Sequence, residues 1–390
     1  MSALLARMRR PGALQCHVAS RNELRLYPVW QSTFSSSRKD HRYYEILEDT
    51  LQDGFEYGYF VITDDTGEGL AIQPFFVVDQ DMLEGVTSLS RAMTSIRKLF
   101  PRFMMMRTLM VGCTAGEGHL AASPRISAAE IGKVLAANVV RHAKTLKARM
   151  VVMKEFPTQY REALDCLLDS GFCRVPSMPA VSLDVAHASF EEFIQKALRA
   201  NARRHLKKNL AATKNANIKM QITADPHQVL EEIHRLYLQV FEKSEFRFEK
   251  LTLNYFRRIA AQMGDKVRFF TWRRGDRLIA CSLSMVEGKT LYLEYLGLDY
   301  KVAFDLHLYH YTFRDQYNWA VQNGMTKIWS SALGYDPKLH LRFQLDPLDL
   351  YVQHVQPFMN AVLQRTLKWM VPARYNETLK KFPNYAEIWS

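Results

Sequence analysis

The stretch Val267–Gly297, VRFFTWRRGDRLIACSLSMVEGKTLYLEYLG, decides the fold. Three runs rich in aliphatic and aromatic residues, VRFFTWR, RLIACSLSMV and TLYLEYLG, are separated by Arg-Gly-Asp and Glu-Gly-Lys. Glycine-bearing spacers this short join antiparallel neighbours, so the runs predict a three-stranded meander. A helical pattern follows from about Asp305 to Gln322 and stops at Gly324. A further strand, TKIWSS, comes after it.

Upstream, Ser189 and Glu192 have the spacing of a capping box. Behind them Ile194, Leu198, Ala202, Leu206 and Leu210 recur every four residues as one apolar stripe. Asp225 and Pro226 suit the N-cap and first position of another helix, whose inner face is Val229, Ile233, Leu236, Tyr237 and Val240.

The first part of the chain repeats this order. GYFVITD and GLAIQPFFVVD read as hairpin strands. FMMMRTLMVG is a third strand, ending at the glycine-rich GCTAGEG. Ser127 and Glu130 open a helix, RMVVMKEF is a strand, Thr158–Ser170 is a helix stopped by Gly171, and AVSLDV closes the block. The repeated order predicts an α/β protein with two tandem domains, 23–187 and 188–352. Each would be a mixed, mainly antiparallel sheet flanked by helices. A helical tail occupies 353–390. Residues 1–22 hold Arg and Ser but no acid, and read as a flexible basic terminus or as a transit-type leader.

With 390 residues, 48% hydrophobic and 24% charged, the composition excludes a disordered chain. A net charge of +12 favours anionic partners. Five scattered cysteines without a C-x-x-C pair argue against a zinc or disulfide framework and suit a reducing, cytoplasmic setting. No apolar run is long enough to span a bilayer. Walker, H-E-x-x-H and G-x-S-x-G motifs do not occur. His307 and His310 lie three apart on a helix but lack a converging ligand set, so no metal is expected. GCTAGEG suits either a phosphate cradle or a sharp strand exit.

Three places could carry chemistry. Strand alternation puts Leu291, Leu293 and Tyr295 on one face and Tyr292, Glu294 and Leu296 on the other. A carboxylate in so apolar a strand is either a general base or the ion-pair partner of an arginine. On the loop after TKIWS, Tyr335 could serve as an acid and Lys338 as an anion anchor, with a plain surface loop as the alternative. Lys196–Lys219 carries eight basic residues and no acid. Its charges surround the apolar stripe rather than forming one patch. Arg203 stands out as an anion contact or an anchor between the domains, and DNA binding is not expected.

The second block resembles the Fem-type (FemAB-like) branch of the GNAT acyltransferase superfamily. The resemblance rests on FEEFIQKALRANARRHLKK, on the meander, and on IWSSALGYDPKLHLRFQLDPLDLYV, where Gly334 and Lys338 match a Gly-x-x-x-Lys stretch. VVMKEFP in the first block is similar to the same family's N-terminal half and brings in Lys154 and Glu155. This implies tandem GNAT-like domains that transfer an acyl or aminoacyl group to an amine. The donor would be a thioester of CoA or a carrier protein, or an aminoacyl-tRNA, and would act as a co-substrate with no tightly bound cofactor. The acceptor would be a small molecule or a cell-envelope precursor. Glu294 would be the base and Tyr335 the acid, with Arg203, Lys338, Tyr295, Gly334, Lys154 and Glu155 contacting donor or substrate. One departure concerns CoA. The glycine-rich pyrophosphate loop expected before the helix is replaced by GLDYKVAFDLHL, which holds a single glycine, Gly297. That shifts weight towards a tRNA-borne or carrier-borne donor, or towards CoA held elsewhere. The alternatives are a non-catalytic tRNA- or RNA-binding protein on a degenerate GNAT scaffold, and a membrane-surface protein whose basic helix in Lys196–Lys219 sits on acidic lipids.

Overall fold

The computed structural model describes residues 13–81, 105–121, 123–211, 213–244, 247–332 and 334–390. The meander forms as the spacing predicts, from Val267–Arg274 (β9), Arg277–Glu287 (β10) and Thr290–Leu298 (β11). Gly275 and Gly288 turn the chain at φ +59° and +56°, which a side chain would resist. Ile218–Thr223 (β8) adds to the β9 edge. On the other side β11 pairs in parallel with Lys327–Ser330 (β12), after the helix Leu308–Gln322.

The first half has the same plan. Phe55–Thr63 (β2), Gly69–Asp81 (β3) and Met105–Val111 (β4) are antiparallel, and β4 runs parallel to Met150–Pro157 (β5). Phe103 and Met104, included in the expected third strand, lie outside the described residues. Gln15–Ala19 (β1) pairs along β2, within the stretch expected to be a loose basic terminus; residues 1–12 lie outside the described part. Only Ala19 of β1 is buried, so this edge strand leaves little apolar alternation to read.

The strand AVSLDV is where sequence and structure part. As Ala180–Asp184 (β7) it leaves the first half and pairs with β12 and with Gln344–Asp346 (β13). In return Leu348–His354 (β14) crosses back and lies between β5 and Cys173–Pro176 (β6). The sheets are therefore β1-β2-β3-β4-β5-β14-β6 and β8-β9-β10-β11-β12-β7-β13: one strand order twice, each half giving the other its sixth strand.

Helices cover both sheets. His41–Thr50 (α1) is capped by Asp40, whose carboxylate accepts from Arg42 N. In Ala128–Thr145 (α2), Ser127 and Glu130 form the expected capping box, and Ile131, Leu135, Val139 and Ala143 are buried. The expected helix over Thr158–Ser170 breaks into three short turns. The basic stretch is two helices, Phe190–Ala197 (α3) and Ala200–Ala211 (α4), because Leu198 adopts an extended ψ of 140° while burying its side chain. Ser189 caps Glu192 N, but the Glu192 carboxylate takes Ala188 N instead of closing the box. Leu230–Lys243 (α5) follows a 3-10 turn, one turn later than Asp225-Pro226 implies, and Leu253–Gln262 (α6) comes next. Leu308–Gln322 is α7, Tyr335–His340 α8 and Pro357–Met370 α9.

The halves share their cores. Tyr43, Ile46 and Leu47 of α1 pack in one cluster with Leu236 of α5 and Tyr255, Phe256 and Ile259 of α6. Among the described residues, no helix is long and apolar enough to cross a membrane.

Candidate active site

The seam between the halves buries four charges. Arg38 and Lys39, just before α1, are each 1% exposed at the side chain. Glu117 reaches them from the loop after β4, and Glu294 from β11. Arg38 Nε donates to Glu294 Oε1 at 2.7 Å, and Lys39 Nζ lies 3.1 Å from Glu294 Oε2. The same Nζ is 3.2 Å from Glu117 Oε2, and Arg38 Nη2 pairs with Glu117 Oε1. Each carboxylate thus bridges both cations. Two positive and two negative charges balance where water cannot reach, the arrangement that makes burying them tolerable. The Arg38 guanidinium also stacks 3.6 Å over the Tyr292 ring, and its backbone N–H donates to Glu287 Oε2 at 2.6 Å. His119 Nε2 sits 3.1 Å from Glu117 Oε1, with its Nδ1 3.2 Å from Tyr160 OH. Burial pushes the Glu117 carboxyl up, but Arg38 and Lys39 outweigh it and hold the group well below the usual carboxylate range.

Glu294 stands on a bulge. Leu283 of β10 faces Tyr295 and Ser284 faces Leu293, so Glu294 is the extra residue on β11. Strict alternation therefore fails here. Tyr292 and Tyr295, three apart, pack against the same core, while Leu291 and Leu293 pack against the other. Of the two readings left open for Glu294, the geometry provides an ion-pair partner, with both oxygens taken by cations.

Beside this cluster lies a second polar group. Lys154 Nζ donates to Gly116 O at 3.0 Å and to Glu155 Oε2 at 2.6 Å. Glu155 sits at φ +57°, where β5 and β14 slip register, and its Oε1 accepts from Ser177 Oγ at 3.1 Å. Phe248 lies 5.3 Å from Lys154 Nζ. Next to it Glu249, on the α5–α6 connection, is partly exposed and accepts from Tyr295 OH at 3.3 Å. Enclosure by protein pushes its carboxyl up to about 7, against the pull of Lys154. A carboxyl that titrates near neutrality and still meets solvent can exchange protons with a bound amine.

Both sheets open between a parallel pair. β4 and β5 pair over four residues, after which β5 runs on; β11 and β12 likewise pair only over Thr290–Leu293 and Lys327–Ser330. In the first half the opening is filled. Gly118 N donates to Glu155 O at 3.0 Å, and a Cβ on Gly118 would stand 2.6 Å from Lys154 O. A Cβ on Gly116 would fall 2.0 Å from Lys39 Nζ. The glycines of GCTAGEG let the loop wedge against β5 and the buried cations. In the second half, among the described residues, no backbone bond from the β11–α7 connection reaches β12.

Of the residues singled out in sequence, Glu294, Tyr295, Lys154 and Glu155 meet at the seam. Gly334, Tyr335 and Lys338 lie apart from them, where β12 ends. Gly334 precedes α8 at φ +58° with open space around its Cβ position, so the fold asks of it a left-handed backbone and not close approach. Tyr335 is buried and donates to Pro179 O at 2.7 Å. Lys338 is buried, donates to Ser331 O at 2.7 Å, and burial pushes its amine down to about 7. Arg203 donates to Gln195 O at 2.9 Å, bracing the end of α3. His310 is pushed down to about 4 by burial, with His307, His205 and His340 adding to it. Among the described residues, no group of three or more metal-ligating side chains converges. Arg38, Lys39, Glu117 and Glu249 escaped sequence reasoning. SSSRKD holds no apolar residue that would announce burial, and the one signal it offers is two adjacent cations just before a helix.

Two sheets of one strand order, each opened between its fourth and fifth strands, define a tandem GNAT-like protein. The chain belongs to the FemAB-like family, described as peptidoglycan biosynthesis/recognition, whose model matches residues 30–365. Among solved structures it is similar to L-PGS from Bacillus licheniformis, at 9% identity over 85% of this chain and 96% of that one, with a TM-score of 0.50. FemX aligns at 10% identity over 92% and 100%, with a TM-score of 0.49. A tandem GNAT protein from the clavulanic acid biosynthesis pathway aligns at 10% over 88% and 99%, with a TM-score of 0.47. At such identities the likeness concerns the fold. No curated protein gives a match.

Proposed function

We propose that this protein is an acyltransferase of cell-envelope biosynthesis, moving an aminoacyl or acyl group from a carrier to an amine on an envelope precursor. Membership of a family described as peptidoglycan biosynthesis/recognition supports the class. The observation that carries the reading is the asymmetry of the two openings. The first is plugged by its own loop, whereas among the described residues no backbone bond from the β11–α7 connection fills the second. Tyr295, on the end of β11 that β12 leaves unpaired, holds Glu249, whose carboxyl is pushed up to about 7 by enclosure.

The donor carbonyl enters between β11 and β12, where β11 N–H groups beyond Leu293 stabilise the oxyanion. The acceptor amine lies at the seam beside Glu249, the base in this proposal, which takes its proton. The nitrogen attacks the carbonyl carbon, a C–N bond forms, and the C–S or C–O bond to the carrier breaks. The proton that Glu249 took from the amine passes to the departing sulfur or oxygen, which leaves as a thiol or hydroxyl and restores the carboxylate. Glu294 holds Arg38 and Lys39 in place, and Tyr295 orients Glu249. The donor is carried by tRNA or a carrier protein. This choice is supported by the short turns that fill Asp299–His307 in place of a glycine-rich loop.

Mass-spectrometric transfer assays with acyl-CoA, acyl-carrier and aminoacyl-tRNA donors against amine-bearing envelope precursors test the reading. Product from one donor class, with a rate on the order of 10²-fold lower in Glu249→Gln, is the expected result. A folded protein that transfers nothing from any donor contradicts it.

A further inference from the structure

Helix α9 is built inside out. Its inward side uses amides: Asn360 Nδ2 and Gln364 Nε2 both donate to Gly171 O, and Asn360 Oδ1 accepts from His354 N. Leu363 and Leu367, both partly buried, pack against a core that the two halves share. The outward side is apolar. Phe358, Val362 and Trp369 fall at i, i+4 and i+11, one stripe on a helical wheel, with Phe358 78% and Trp369 65% exposed. Met359 and Met370 widen the stripe and are also exposed. Soluble helices put such residues inward. A contiguous outward patch of this kind marks a contact surface.

We propose that this face of α9 docks on an anionic lipid surface. Charge selects that occupant. No acidic residue occurs between Asp349 and Glu377, while Arg365, Lys368 and Arg374 lie along or just past the helix. Arg365 follows Val362 and precedes Trp369 on the same stripe, so a cation sits among the apolar groups rather than opposite them. Arg374 stacks 5.1 Å from the Trp369 ring. A helix lying in the headgroup layer wants this combination: aromatic and thioether side chains entering the acyl boundary, and long cationic side chains reaching back to phosphates. A protein interface of the same size would keep a cation such as Arg365 out of the centre of its apolar stripe and would deplete Lys. The inference stands apart from the transferase reading, because it uses no residue of the seam.

The test is vesicle flotation of the full chain with phosphatidylcholine alone and with an equimolar phosphatidylcholine–phosphatidylglycerol mixture, alongside Trp fluorescence. The wild type is expected to float with the anionic vesicles, to shift its emission to the blue, and to release as salt rises. Phe358→Ser/Trp369→Ser is expected to weaken binding by roughly tenfold or more with an unchanged melting temperature. Arg365→Gln/Lys368→Gln removes charge and leaves the apolar stripe intact. It is expected to lose the preference for anionic vesicles. Equal flotation of wild type and the Phe358/Trp369 variant overturns the proposal, as does failure of the wild type to bind. So does a concentration-dependent dimer that the same substitutions dissolve, which would assign the face to a second copy of this chain.

Discussion

At the residue scale the buried quartet makes the sharpest demands. Replacing Arg38 or Lys39 by Met leaves two carboxylates sharing one cation away from water, and is expected to cost about 3–5 kcal/mol in chemical denaturation. Acid should act in the same direction. Glu117 titrates below its unfolded value of about 4.5, so its contribution is complete above that pH and is lost as pH falls further. Thermal melts should therefore steepen in their pH dependence below about pH 4.5, and should flatten there in Glu117→Gln. Glu294→Gln separates the two roles open to that residue: as a clamp it lowers stability while the folded fraction keeps the wild-type pH dependence of transfer. Sequence reading found Glu294 because a lone carboxylate in LYLEYLG breaks the apolar pattern. It missed the bulge, since the slip is set by β10 pairing, and it missed Arg38 and Lys39, since burial of a turn is decided by elements far away in the chain.

At the element scale most of the architecture was written locally. Gly275 and Gly288 turn the meander, Ser127 and Glu130 start α2, and Gly334 sets up α8, each through backbone conformation or capping that needs no tertiary partner. The wedge Gly112–Gly118 needs such partners. Its glycines announce tight backbone but do not say what approaches. Gly118→Ala places a Cβ against the Lys154 carbonyl and the Phe156 ring, neither of which can swing away. A loss of about 1–3 kcal/mol is expected in equilibrium unfolding, whereas Gly334→Ala meets no atom and should suffer only from its backbone angle. A Gly118→Ala protein as stable as the wild type would remove the wedge from the account.

At the scale of the whole molecule, the exchange of β7 and β14 binds the halves. A strand's sequence states its propensity but not its partner, so AVSLDV read correctly as a strand and was placed in the wrong sheet. Residues 13–187 and 188–390 produced separately each lack the sixth strand of their own sheet. They are expected to stay unfolded alone by circular dichroism and to gain structure when mixed. Independent folding of either piece would contradict the exchange. The reciprocal geometry also puts the functional groups at the seam, where Lys154 of one half lies near Glu249 of the other and Tyr295 holds that carboxylate. The account is tested most directly by the single-turnover rate of transfer against pH for wild type and Glu249→Gln. It predicts a wild-type rate that rises through a midpoint near pH 7, as Glu249 gives up its proton, and a variant that is slow and without that limb. A variant that keeps both rate and limb would contradict it.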